Sequence, residues 1–293
     1  MQPGLVASWY AVRNNWTGAV NFDEGHWIGI YFNRNSLAPP AALGLLAAGA
    51  LTWILIVRRP KYWGLVVLVL FDVILLNLGL LFRSKSSTSL GAITVFIFVW
   101  VFWTAIRWVR SRRDFSADQL RQYVYPGFLL TLILLTWFSF RFQEILSRVF
   151  KSNIDFNGRT TLWRFSWSGF LDKPLFGWGW FSAWQTPNFF HERDYWWALT
   201  STTWSHSGVM DVLLGGGVIG AALLVLAILW SGARQLERVF TQTAGQWAFA
   251  ATWFVIAAST QESFIVGNHF LWLLLVASMA GSKNENREEL KVS

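Results

Sequence analysis

Residues 62–82 read YWGLVVLVLFDVILLNLGLLF, and Asp72 is the only charged side chain among them. A helix rises about 1.5 Å per residue, so a run of this length crosses the ~30 Å hydrocarbon layer of a bilayer. Working outward, a similar run, Leu37–Val57, precedes it and is stopped by Arg58, Arg59 and Lys61. Leu90–Val109 follows and ends in RWVRSRR. Further apolar runs are Val124–Phe140, Val209–Trp230, Gln246–Thr260 and Phe264–Ala280. The pattern predicts an all-α integral membrane protein, a polytopic helical bundle of about seven transmembrane helices with a long extracytoplasmic loop.

Composition agrees. Of the 293 residues, 54% are hydrophobic and 14% charged, against about 25% charged in soluble domains. The 21 tryptophans suit the membrane–water interface, where the ring is apolar and the N–H stays wet. With no cysteine, disulfides, thiolate nucleophiles and cysteine-ligated metals are excluded. His26, His191, His206 and His269 have no metal-type spacing, and no carboxylate cluster suited to a divalent cation appears outside. Neither a metal nor another cofactor is expected. The net charge of +8 flanks the spans, so it reads as topology, and the partner it implies is the lipid bilayer rather than nucleic acid.

The basic clusters fall on one side, assigned to the cytoplasm of a cell (plasma or inner) membrane. Residues 1–36 then form an extracytoplasmic segment and 37–140 the first four spans. Residues 141–208 form an extracytoplasmic catalytic-type loop, 209–280 the last three spans, and 281–293 a cytoplasmic tail. Met1 opens an outside segment with no signal peptide or upstream helix to translocate it. The glycines 215–217 lie within a span and read as close helix packing, not as a phosphate loop.

The long loop holds NGRTTLWRFSWSGFLDKPLFGWGWFSAW, residues 157–184. Loops of such length are usually functional or disordered, and this many aromatics argue against disorder. Thr160–Leu171 is expected as an interfacial helix with Leu162, Phe165, Trp167 and Phe170 mostly toward the membrane. KPLFGWGW then makes a turn with glycine hinges. Arg159 and Arg164 stand at the helix start, where a planar guanidinium and the helix terminus together suit a phosphate. The residues alone leave open whether these arginines bind a substrate diphosphate or lipid headgroups. His206, at the start of the fifth span, is a candidate proton acceptor. Asp211 lies one turn further in, and an acid in a span is expensive and often functional. A hydrogen-bonded structural pair at the helix start fits those two residues as well. Trp163, Trp167, Trp178, Trp180 and Trp184 suit either sugar stacking or the interfacial belt.

Three stretches, GHWIGIYFNRNSLAPPAALGLL from Gly25, GRTTLWRFSWSGFLDKPLFGWGW from Gly158 and HSGVMDVLLGGGVIGAALLV from His206, resemble in order the landmarks of the O-antigen ligase-like superfamily. That superfamily includes O-antigen ligases and polysaccharide polymerases. The resemblance implies a metal-independent membrane glycosyltransferase in cell-surface and exopolysaccharide biosynthesis. Its donor would be an undecaprenyl-diphosphate-linked glycan and its acceptor a glycan or lipid-glycan hydroxyl. It implies that Arg159 binds the donor pyrophosphate and that His206 is the catalytic histidine. Ser207 stands where the family usually has asparagine, and Asp211 where an acid is common. Arg34 and Asn35 match a segment of the first landmark, and His26 stands where members often carry an arginine, whose phosphate contact Arg34 would supply. Members usually have about twelve spans, so a shortened member lacking N-terminal spans is expected. Two other readings are a non-catalytic or inactive truncated paralogue and a lipid-linked glycan transporter or flippase. A flippase predicts charges facing one another at mid-membrane, where only Asp72 and Glu262 stand out.

Overall fold

The structure is a computed structural model that describes residues 2–14, 16–21, 25–31, 33–112, 116–131, 159–186, 204–265 and 269–280. Residues 132–140 of the expected fourth span, residues 132–158 and 187–203 around the loop, and the tail 281–293 lie outside the described residues. The chain divides into two compact units, Met1–Trp100 with Trp253–Ala258, and Val101–Thr252 with Ser259–Ser293.

In the first unit, α1 (Gln2–Arg13) leads to a two-residue antiparallel ladder, β1 (Val20–Asn21) on β2 (His26–Trp27). Neither element is expected from the sequence, which treats residues 1–36 as one undivided segment. Helix α1 is short and buries only Leu5, Ser8, Ala11 and Val12, too few to stand out as a periodic pattern. Helix α2 (Arg34–Arg58) starts at Asn33, whose side chain accepts from the Ser36 N–H at 2.9 Å, satisfying one orphan donor of the first turn. Helices α3 (Trp63–Ser84) and α4 (Ser87–Arg110) follow, joined by a turn at Lys85 and Ser86. Ser86 donates to Asn35 Oδ1 at 2.9 Å, tying that turn to the start of α2.

Buried Asn77 of α3 donates to Val73 O at 2.7 Å and to Gln2 Oε1 at 3.3 Å. Gly44 of α2 admits that pair, since a Cβ there would lie 2.6 Å from Asn77 Oδ1. Outward-facing Leu65, Leu68, Val69 and Phe82 are exposed, an apolar surface that suits lipid rather than water.

In the second unit, Ala117–Gln119 (α5) precedes a π turn, Leu120–Val124. Helix continues over 125–131, and the further described helices are α6 (Arg159–Asp172), the four-residue α7 (Ser182–Gln185), α8 (Gly208–Thr241), α9 (Thr243–Ser259) and α10 (Phe270–Ala280). Trp103, Phe128, Phe240 and Phe249 form an aromatic core with ring centroids 5.4–5.7 Å from Trp103. Leu162, Phe165, Ala183, Trp184 and Leu214 form a second core. That second core corrects an expectation. Leu162, Phe165 and Phe170 of α6 are buried within the protein and only Trp167 of that set is exposed, because the α6 face packs on α8.

Among the described residues, four helices are long and apolar enough to cross a membrane: α2, α3, α4 and the Gly208–Leu236 part of α8. Of the expected fourth span, residues 125–131 are helical and residues 132–140 lie outside the described residues, so the described residues do not test the expected count of seven. Helices α9 and α10, with 17 and 11 residues, extend only about 26 and 17 Å. Basic side chains sit over aromatic rings near the ends of the membrane-length segments: Arg59 on Trp63, Arg112 on Trp108, and Arg234 on Trp230. Such pairs suit the interface, where the ring is half-immersed and the cation stays wet.

Helix α8 is broken at Gly217, whose backbone is non-helical (φ 62°, ψ −164°). In a continuous helix the N–H groups of Val218 and Ile219 would bond to the carbonyls of Leu214 and Gly215. Here they donate instead to Pro174 O and Leu175 O at 2.8 and 3.2 Å. The freed carbonyls of Leu214 and Gly215 accept from the N–H groups of Trp178 and Gly179 at 2.8 and 3.0 Å. Residues 174–179 are thus spliced into the helix, and two lost rungs are exchanged for four bonds. Irregular backbone at membrane depth persists only when satisfied in this way.

The splice needs glycine on both sides. A Cβ on Gly177 would lie 2.6 Å from Leu214 O, and one on Gly217 2.3 Å from Leu175 O. The glycine cluster therefore admits a loop rather than packing helix against helix. Trp178 Nε1 adds a bond to Gly169 O at 2.7 Å, and Lys173 lies 4.0 Å from the Trp178 ring centroid, so this tryptophan is part of the joint.

Candidate active site

Three segments of the second unit meet at the start of α8. Ser207 is the helix N-cap, with its hydroxyl 3.5 Å from the Met210 N–H. His206, just before it, holds a left-handed backbone (φ 52°), a region in which histidine is found more often than most residues. Asp211 fixes that turn. Its Oδ1 accepts from the Ser205 N–H at 2.9 Å and from the Ser205 hydroxyl at 2.7 Å, so the chain folds back over the first turn of α8. The acid one turn in thus serves the backbone geometry at His206 through Ser205.

The loop between α9 and α10 closes on this turn. Gly208 N–H donates to Glu262 O at 3.0 Å. A Cβ on Gly208 would lie 3.2 Å from Ser259 O and 3.3 Å from Ile265 Cβ, so glycine lets the loop approach. The approach brings the Glu262 carboxylate beside His206, with Oε2 3.1 Å from Nδ1. From α6, Arg159 pairs through Nη2 with Glu262 Oε1, and its Nη1 donates to Gln261 O at 2.6 Å. Side-chain exposures of 6% for Glu262, 12% for Arg159 and 27% for His206 order the group from a buried carboxylate to a partly accessible imidazole. The Trp204 ring, 5.9 Å from that of His206 and edge-on to it, flanks the imidazole.

Donor and acceptor chemistry constrains the imidazole. A carboxylate only accepts, so the nitrogen facing Glu262, Nδ1, is the one suited to carry the proton, and in the neutral ring the lone pair is then on Nε2. The ring is then oriented by a third group, as proton-accepting histidines in catalytic triads are. A shallow hollow lies nearby, bounded by Trp180, Phe181 and Trp184 on one side and by Asp211, Leu214 and Gly215 on the other.

Of the residues expected from the sequence, the structure brings Arg159 and His206 together through Glu262 and places Asp211 behind them. Arg164 is exposed, and five helical positions from Arg159 turn it about 140° away. Arg34, Asn35 and His26 belong to the first unit. Glu262 was not among the expected site residues. Its signal was a lone carboxylate between two apolar runs, which is expensive there and often functional. His269, also outside that set, caps α10 by accepting from the Leu271 N–H at 3.3 Å and lies against Phe264.

The family model described as O-antigen ligase matches residues 72–225 of the chain. No curated protein and no solved structure matches it.

Proposed function

This chain belongs to the O-antigen ligase family, and on that premise we propose that it transfers a glycan from an undecaprenyl-diphosphate donor to a sugar hydroxyl. The observation that carries the reading is the Arg159–Glu262–His206 cluster, which holds an arginine fork and a proton-accepting imidazole on one buried carboxylate. The acceptor oxygen attacks the anomeric carbon of the donor sugar as the bond from that carbon to the diphosphate oxygen breaks. The electron pair leaves with undecaprenyl diphosphate, and the hydroxyl proton passes to His206 Nε2. The leaving group is already activated, so the main tasks are to stabilise its growing charge and to orient the hydroxyl. Arg159, partly desolvated, is suited to the first and His206 to the second. No step calls for a metal.

Of the five loop tryptophans expected to suit sugar stacking, Trp167 and Trp180 are exposed and Trp163 is half-buried, whereas Trp184 is buried and Trp178 is committed to the joint with α8.

Arg159→Lys tests the diphosphate grip. The variant is expected to lose at least about 90% of transfer, because a point charge does not replace a two-pronged contact. The measurement is release of undecaprenyl diphosphate from a lipid-linked glycan by the reconstituted protein. Lysine working as well as arginine would make the residue a generic headgroup contact. The active face is proposed to be extracytoplasmic. A reporter active only outside the cytoplasm should work when fused near Gln185 and fail near Gln235, and the reverse pattern would overturn that orientation.

A further inference from the structure

We propose that Glu262 is the positioning residue of this site: one carboxylate oxygen holds His206 as the Nδ1–H tautomer, while the other occupies the place on Arg159 that the donor diphosphate takes. The inference rests on the reading of Arg159 and His206 given above and adds a coupling between them. The buried carboxylate touches both groups, at Oε1 and Oε2 respectively. The rest of its residue is fixed by the backbone, since Glu262 O accepts from the N–H groups of Gly208 and Phe264 at 3.0 Å each. The carboxylate therefore lies between the two functional side chains, one oxygen on each.

Two consequences follow from donor and acceptor chemistry. An anion arriving at Arg159 meets a carboxylate already there, so removing that charge strengthens diphosphate binding. Exchange of Glu262 for glutamine, close to it in shape, also reverses the histidine. Arg159 has only donors, so the glutamine amide oxygen must face it, and the amide N–H₂ is left facing His206 Nδ1. That nitrogen must then accept, the ring proton moves to Nε2, and the ring nitrogen meant for the acceptor hydroxyl carries a proton it needs to be without. Glu262→Ala imposes no such tautomer. The near-isosteric variant is therefore expected to transfer more slowly than the truncated one, an order that a purely structural role would invert.

The test uses the full chain in nanodiscs with undecaprenyl diphosphate as the probe and nitrogen-15 histidine spectra for the tautomer, the His206 signal being identified by its loss in His206→Ala. In the unsubstituted protein the proton is expected on Nδ1, and in Glu262→Gln on Nε2. Both Glu262→Gln and Glu262→Ala should bind the probe about tenfold or more tightly than the unsubstituted chain, as expected when a charge-assisted competitor is removed. A proton on Nε2 of His206 in the unsubstituted protein overturns the proposal without any variant having to fold. Unchanged probe affinity in both variants overturns it as well. Failure of the underlying reading looks different: the unsubstituted chain would not bind the probe, or Arg159→Lys would bind it equally well, and the histidine spectrum would still decide the Glu262–His206 half.

Discussion

His206→Ala is expected to lower transfer by about 10²–10⁴-fold, the usual contribution of a general base, while the protein still inserts and still binds undecaprenyl diphosphate. The reason lies in the two ring nitrogens. Nδ1 faces Glu262 Oε2 at 3.1 Å, which leaves Nε2 as the nitrogen able to take the acceptor proton. Alanine also sits less comfortably than histidine in the left-handed backbone at this position (φ 52°), so a second variant separates strain from chemistry. His206→Asn tolerates that conformation but cannot accept a proton at working pH, and it should be as inactive as the alanine variant. His206→Gln gives the decisive contrast, since glutamine hydrogen-bonds without acting as a base. Near-normal turnover in the glutamine or asparagine variant would leave His206 with a positioning role only.

Gly217→Ala is expected to destabilise the protein by about 2–6 kcal/mol. The backbone there (φ 62°, ψ −164°) falls in a region essentially confined to glycine, and strain of that kind costs about 1–3 kcal/mol. The new methyl would also lie 2.3 Å from Leu175 O, and overpacking adds about 1–3 kcal/mol. Against a typical stability of about 5–15 kcal/mol, such a loss is readily visible in thermal unfolding of the purified protein. Gly216→Ala is the matched control, since a Cβ there meets nothing within 4 Å and alanine is the better helix former. Equal melting of the two variants would mean that the helix is not held at the Gly217 break.

What the sequence made legible divides along physical lines. Helices α2, α3, α4 and the membrane part of α8 were visible because long apolar runs followed by basic residues have few other uses. The α6 helix was found within a residue at each end, Arg159–Asp172 against the expected 160–171. Its buried face was misassigned, since periodicity marks which side chains avoid water and is silent on whether lipid or protein receives them. Arg159 and His206 were legible as chemistry and by resemblance. Glu262 was not placed with them, because the contacts that join it to them span 103 and 56 positions and depend on Gly208 admitting a loop. The role of residues 215–217 was missed for a related reason. A glycine cluster signals close approach, but the approaching chain, residues 174–179, lies some forty positions upstream.

The joint between those residues and α8 has a consequence for how freely the chain can change. The four bonds that splice the segment into α8 run from backbone to backbone, so its position depends on its main chain, on the small size of Gly177 and Gly217, and on the Trp178 side chain bonded to Gly169 O. The side chains of Leu175, Phe176 and Trp180 are exposed and supply none of those bonds. Substitution at Leu175 and Phe176 can alter what the outer surface offers without loosening its attachment, whereas the Trp180 ring also packs beside Gly215. Variation is thereby separated from anchorage: Gly177 and Gly217 are held fixed, and the exposed side chains of Leu175 and Phe176 are left open to selection for whatever passes over them.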